Sequence, residues 1–126
     1  MSERHIFRVQ DSEGRGPYRP GFSRFWTDPD GPVVRPWWDE LGIPLAEAVR
    51  SLPVGMYSGC GFRSLELLNQ WFTPIERERL QAHGFVVVRF KPDRIIAQTP
   101  TQVVFAQRAP LFGLPVYGPL TEARAA

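Results

Sequence analysis

The clearest patterns along the chain are short stretches of β-forming residues and two runs with helical spacing. His5-Ile6-Phe7-Arg8-Val9 is short, rich in β-formers and followed by polar turn residues from Asp11 to Gly16, which predicts a first strand. Val86, Val88 and Phe90 alternate with Val87, Arg89 and Lys91, which predicts a strand over Phe85 to Lys91. Gln102 to Gln107 predicts a last strong strand, with Val103 and Phe105 on one face. Gly55 to Gly61 reads as a short strand running into a glycine turn. Ile95 and Ile96 read as the start of a connection, and Pro110, Pro115 and Pro119 argue against a further strand in the tail.

Helical spacing appears at Leu45, Val49 and Leu52, predicting a short helix over Pro44 to Ser51. It recurs at Leu65, Leu68 and Phe72, where Ser64 is a suitable cap. Thr73-Pro74-Ile75-Glu76 has the form of a capping box with proline in the first turn, and Gly84 supplies the stop. Together these elements predict an α+β domain: a small, bent, mostly antiparallel sheet with two to three short helices at one side.

Between the first strand and the first helix, Gly14 to Asp39 is punctuated by Gly16-Pro17, Pro20-Gly21, Asp30-Gly31-Pro32 and Arg35-Pro36. The same stretch carries Tyr18, Phe22, Phe25, Trp26, Trp37 and Trp38. So many aromatics predict a long, ordered loop over 14–43 rather than a disordered linker. Its interleaved arginines (Arg15, Arg19, Arg24 and Arg35) suit base stacking and phosphate contacts, but Asp28, Asp30, Asp39 and Glu40 dilute the field.

Composition narrows the class. The length of 126 residues, with 43% hydrophobic and 22% charged residues, fits one domain over 1–126 with a proline-rich tail from 110. Fifteen positive side chains stand against 13 negative ones, and all the positive ones but Lys91 are arginine. An arginine bias suits an anionic ligand or, more plainly, a solvated surface. The lone Cys60 excludes an internal disulfide and a multi-cysteine zinc site, and fits a reducing compartment. Neither histidine, His5 or His83, has metal-ligand spacing, so no metal is expected. No apolar run is long enough to span a bilayer, and the expected location is cytoplasmic. Gly59-Cys60-Gly61 reads either as a reactive thiolate near a helix start or as a small buried cysteine beside turn glycines.

Several segments form an ordered series. Phe7-Arg8-Val9 places an arginine in the first strand, Tyr57-Ser58 leads into a helix, and Gln102-Val103-Val104-Phe105 opens a late apolar strand. This order resembles the ADP-ribosyltransferase-like fold and the related RES-type toxin domains that consume NAD. The stretch Phe7 to Trp26, and the run from Ser58 to Leu68 followed by Trp71-Phe72, also look like a group of small phage and prophage proteins.

The first resemblance implies binding of NAD or an ADP-ribose-like nucleotide. Arg8 would hold phosphate or ribose, Tyr57 and Ser58 would line the nicotinamide side, and Tyr18 or Trp26 would cover the base. Gln102 takes the place of the family's catalytic glutamate. A neutral amide can bond a ribose hydroxyl but brings no full charge to a cationic transition state, so glycosidic cleavage or ADP-ribosyl transfer is an open question. The residues themselves also allow plain structural roles: Arg8 facing solvent, Tyr57 in the core, Gln102 on a strand surface. A second expectation is a non-enzymatic, phage-encoded inhibitor or interaction protein acting on a host defence complex, since aromatic residues and arginine dominate binding hot spots. A third is a virion or assembly accessory protein.

Overall fold

The computed structural model describes residues 5–17, 22–28 and 55–120. Six strands and two α-helices lie among them. Strand β1 (Ile6–Gln10) pairs antiparallel with β3 (Val86–Phe90), and β3 pairs with the three-residue edge strand β6 (Val116–Gly118), forming sheet A in the order β1-β3-β6. Strand β2 (Tyr57–Gly61) pairs antiparallel with β5 (Val103–Gln107), which pairs with β4 (Arg94–Gln98), forming sheet B in the order β2-β5-β4. Helices α1 (Leu65–Trp71) and α2 (Pro74–Ala82) connect β2 to β3. The predicted α+β class with antiparallel sheets and helices at one side is what the structure has, as two sheets rather than one.

Both helices start where local chemistry dictates. The Ser64 hydroxyl accepts from the Leu67 amide at 3.1 Å. The Thr73 hydroxyl accepts from the Glu76 amide while Glu76 Oε1 accepts from the Thr73 amide, closing the predicted capping box. Such caps satisfy amides that the first helical turn leaves without partners, at about 1 kcal/mol each. His83 caps the end of α2, just before Gly84.

The period-2 geometry of β1 and β3 separates two cores. Val9 and Val87 pack with Leu68, Trp71 and Phe72 of α1, Leu80 of α2, and with Trp26, Phe62, Phe85 and Leu120. Ile6, Val88 and Phe90, on the opposite face, pack against Val103, Phe105 and Leu111. Sheet A is therefore the middle layer, with helices on one face and sheet B on the other. At one corner the sheets touch through backbone: Phe7 and Phe62 exchange amide-to-carbonyl bonds of 2.8 and 2.7 Å. A Cβ on Gly61 would lie 2.7 Å from the Phe7 carbonyl oxygen, so this corner needs glycine there.

Three expectations change. Residues 94–98 are strand β4, not a connection; a register shift between Ile95 and Ala97 breaks the alternation that marks a strand. The tail does add a strand, β6, because prolines 115 and 119 flank it and an edge strand tolerates them. Gly59 and Gly61 lie within β2 rather than in a turn. The helix expected over Pro44 to Ser51 lies outside the described residues.

Candidate functional site

Arg8 is the chemical centre of the inter-sheet layer. It shares a face of β1 with Ile6 and Gln10, so its side chain enters the space between the sheets and is buried. Its guanidinium donates from Nε to Gln10 Oε1 (3.0 Å), from Nη1 to the Cys60 carbonyl (2.8 Å) and from Nη2 to the Gly14 carbonyl (3.3 Å). It also lies over the Phe105 ring at 5.7 Å. Gln10 extends the chain of bonds, donating to the Leu111 carbonyl at 2.8 Å. A Cβ on Gly59 would come within 2.7 Å of Arg8 Nη1, so the glycine makes the floor on which the guanidinium rests. One arginine thus ties β1, β2 and the turn after β1, with β5 packed beneath it.

Burial lowers the Arg8 pKa, opposed by the nearby Cys60 and Asp11; arginine nonetheless remains charged in proteins. Burial pushes the Cys60 thiol up, and the neighbouring Arg8 charge only partly offsets this. That is the behaviour of a structural cysteine rather than an activated thiolate.

Asp11 organises the turn on which Gly14 sits. Its Oδ1 accepts from the amides of Glu13 (3.0 Å) and Arg15 (2.9 Å), and its Oδ2 from Arg15 Nε (2.9 Å). Desolvation pushes its pKa up, but the amide and side-chain bonds from Arg15 and the Glu13 amide outweigh it and hold the carboxyl below its ordinary 3.8. A depressed folded pKa contributes stability that is full above the unfolded value and is lost as pH falls through the folded one. Wild type should therefore lose stability over Asp11→Asn as pH drops below about 4 in urea titrations, with the two converging. A constant difference from pH 7 to pH 2 would contradict this.

The expected nucleotide hollow does not assemble from these residues. Tyr57 pairs with Gln107 at one end of the β2–β5 ladder, and Gly61 pairs with Val103 at the other. Gln102 lies one residue beyond Val103, roughly 16 Å along the ladder from Tyr57 at about 3.3 Å per residue. Tyr57 and Ser58 are adjacent in a strand, so they point to opposite faces and cannot line one pocket together. Gln102 is buried in the turn between β4 and β5, where its backbone amide donates to Thr99 Oγ1 (2.8 Å) and its backbone carbonyl accepts from the Thr99 amide (2.9 Å). Arg63 closes the same turn by donating to the carbonyls of Thr99 and Pro100. Trp26 is core, 1% exposed, rather than a cover for a base. Tyr18 lies outside the described residues. Of the set that the resemblance assigned to NAD, Arg8 spends its donors on internal carbonyls, and Tyr57 and Gln102 stand at opposite ends of the ladder.

A different constellation is on the surface. The Trp26 indole packs on Phe72 (5.5 Å) and its Nε1 donates to the Pro17 carbonyl at 3.1 Å. Glu76, having closed the capping box with Oε1, accepts from the Asp28 amide with Oε2 (3.0 Å), and Arg79 Nη1 donates to the Thr27 carbonyl (2.9 Å). These bonds fasten 22–28 to α2. The 3-10 turn Ser23–Phe25 then presents Arg24 and Phe25, with the guanidinium over the ring at 5.0 Å. Phe22 stacks on Phe85 (5.6 Å), and His83 stands 5.4 Å from Phe22 and 6.3 Å from Phe25. Phe25 is 51% exposed, and Arg24 and His83 are exposed too. Of the loop expected over 14–43, only 14–17 and 22–28 are among the described residues; the tie of 22–28 to α2 through the second oxygen of Glu76 had no signal in the sequence.

Among the described residues, no helix is long and apolar enough to cross a membrane, and no group of three or more His, Cys, Asp or Glu side chains is placed to hold a metal. No curated protein and no solved structure matches the chain. A family model does match, over residues 1–111, and by that match the chain belongs to the Bacteriophage T4 Y00F protein family.

Proposed function

We propose that this phage-family protein is a non-enzymatic binding protein that docks on a host protein through the Phe22, Arg24, Phe25 and His83 patch. The observation that carries this reading is the contrast within residues 22–28. Trp26 is sunk in the core and the backbone on its far side is bonded to α2, while its neighbours Arg24 and Phe25 face outward. A segment held this way loses little conformational freedom on binding, which favours affinity. Its exposed groups, an arginine stacked on an aromatic ring beside further rings, are the types enriched in hot spots. Among the described residues Arg24 makes no ion pair.

The test is affinity capture from host extract with wild type and with the double variant Arg24→Ala/Phe25→Ala. Each captured protein is purified and its affinity measured by titration. Both residues are exposed, so the double variant should melt within about 2 °C of wild type. The expected result is at least one purified partner whose affinity falls tenfold or more in the double variant. Equal affinities for every captured partner would reject the patch.

A further inference from the structure

Sheet A carries a second arginine–aromatic site, made of residues that the loop patch does not use. The helices cover the Val9 and Val87 part of its outer face. Beyond them, Phe7 of β1 pairs across the ladder with Arg89 of β3. The Arg89 guanidinium lies over the Phe7 ring at 5.9 Å, and the Tyr117 ring of β6 meets Phe7 edge-on at 5.2 Å and 87°. Arg89 is exposed and Tyr117 is 54% exposed. Among the described residues Arg89 makes no ion pair and no side-chain hydrogen bond, and its backbone amide donates to the Pro115 carbonyl at 3.1 Å.

The charged residues of the sheet A strands are of one sign. The strands of sheet A read IFRVQ, VVVRF and VYG: two arginines and no acid. Arg8 is turned inward and spends its donors there, which leaves Arg89 as the outward cation. An arginine resting on an aromatic ring keeps its in-plane N–H edges for an acceptor, and its fork matches a carboxylate in two parallel bonds. The flanking rings of Phe7 and Tyr117 offer apolar contact beside that charge.

We infer that this face binds an acidic protein segment, with a carboxylate forked by Arg89 and an adjacent apolar side chain against Phe7 and Tyr117. The near balance of charge on the whole chain, 15 positive against 13 negative, favours this over a nucleic-acid backbone, which draws on a wider basic field. Backbone-amide NMR of the full chain tests it, with the blocked hexapeptide Glu-Leu-Asp-Glu-Phe-Asp, its Gln/Asn counterpart and a ten-residue oligothymidylate as probes. The expected result is saturable movement of the Phe7, Arg89 and Tyr117 signals by the acidic peptide. Binding should weaken at least fivefold with the neutral peptide and at least fivefold in Arg89→Gln. The inference is overturned by no saturable shift at millimolar peptide, by equal binding of the neutral peptide, or by indifference to Arg89→Gln. It is equally overturned if the oligonucleotide binds these signals more tightly. Shifts confined to Phe22, Phe25 and His83 would overturn it while leaving the loop patch standing.

Discussion

Trp26→Ala is expected to remove about 3–5 kcal/mol of folding free energy, the range for truncating a buried large aromatic. The indole is almost wholly enclosed, packs on Phe72, and uses its only donor on the Pro17 carbonyl. Truncation opens a cavity in the core shared by α1, α2 and the outer face of sheet A, and leaves that carbonyl without its partner. For a domain near this size, about 4 °C of melting temperature accompanies each kcal/mol, so a fall of about 12–20 °C should be seen by calorimetry. Trp26→Phe keeps much of the packing and loses the hydrogen bond, and should cost about 1–2 kcal/mol. A loss below about 1 kcal/mol for Trp26→Ala would mean that 22–28 is not fastened as described. The variant should also lose partner binding, because the Arg24–Phe25 turn depends on the same anchor.

The second large effect concerns Arg8. Arg8→Ala should cost about 3 kcal/mol or more in urea unfolding, through three acceptors that lose a donor in a buried layer. Arg8→Met separates volume from hydrogen bonding. Methionine fills most of the space and removes the cost of a buried charge, yet leaves Gln10 Oε1 and the Cys60 and Gly14 carbonyls without this donor. Replacing buried charges with apolar groups is sometimes neutral, so the sign is informative. The expected loss for Arg8→Met is about 2 kcal/mol, because three acceptors lose a charged donor at once. Stability equal to wild type would show that the guanidinium is not a structural tie.

Sequence patterns disclosed the parts of this fold whose causes are local. The caps at Ser64 and Thr73 need only three or four neighbouring residues, and both helices begin where those residues stand. The strand β4 was hidden because its bulge at Ile95–Ala97 disrupts the period, and β6 because its flanking prolines mimic a loop. The site was harder to read because its causes are distant. Arg8 in a strand reads equally as a solvent-facing cation or a ligand hand; only the layer on the far side decides, and that layer is contributed by residues about 50 and 100 positions later. The clue was the pair of glycines at 59 and 61 inside a strand, where glycine marks close approach of another group. The separation of Tyr57 from Gln102 is a matter of ladder register, which no local pattern specifies.

Thermal unfolding of the wild-type chain with and without 10 mM NAD is the most direct test that Arg8 is a structural tie and not a nucleotide hand. A ligand held with a dissociation constant of about 0.1 mM would add about 2.7 kcal/mol at that concentration, a shift of roughly 10 °C. The account predicts a melting temperature unchanged within about 1 °C. A rise of several degrees, abolished by Arg8→Lys, would contradict it.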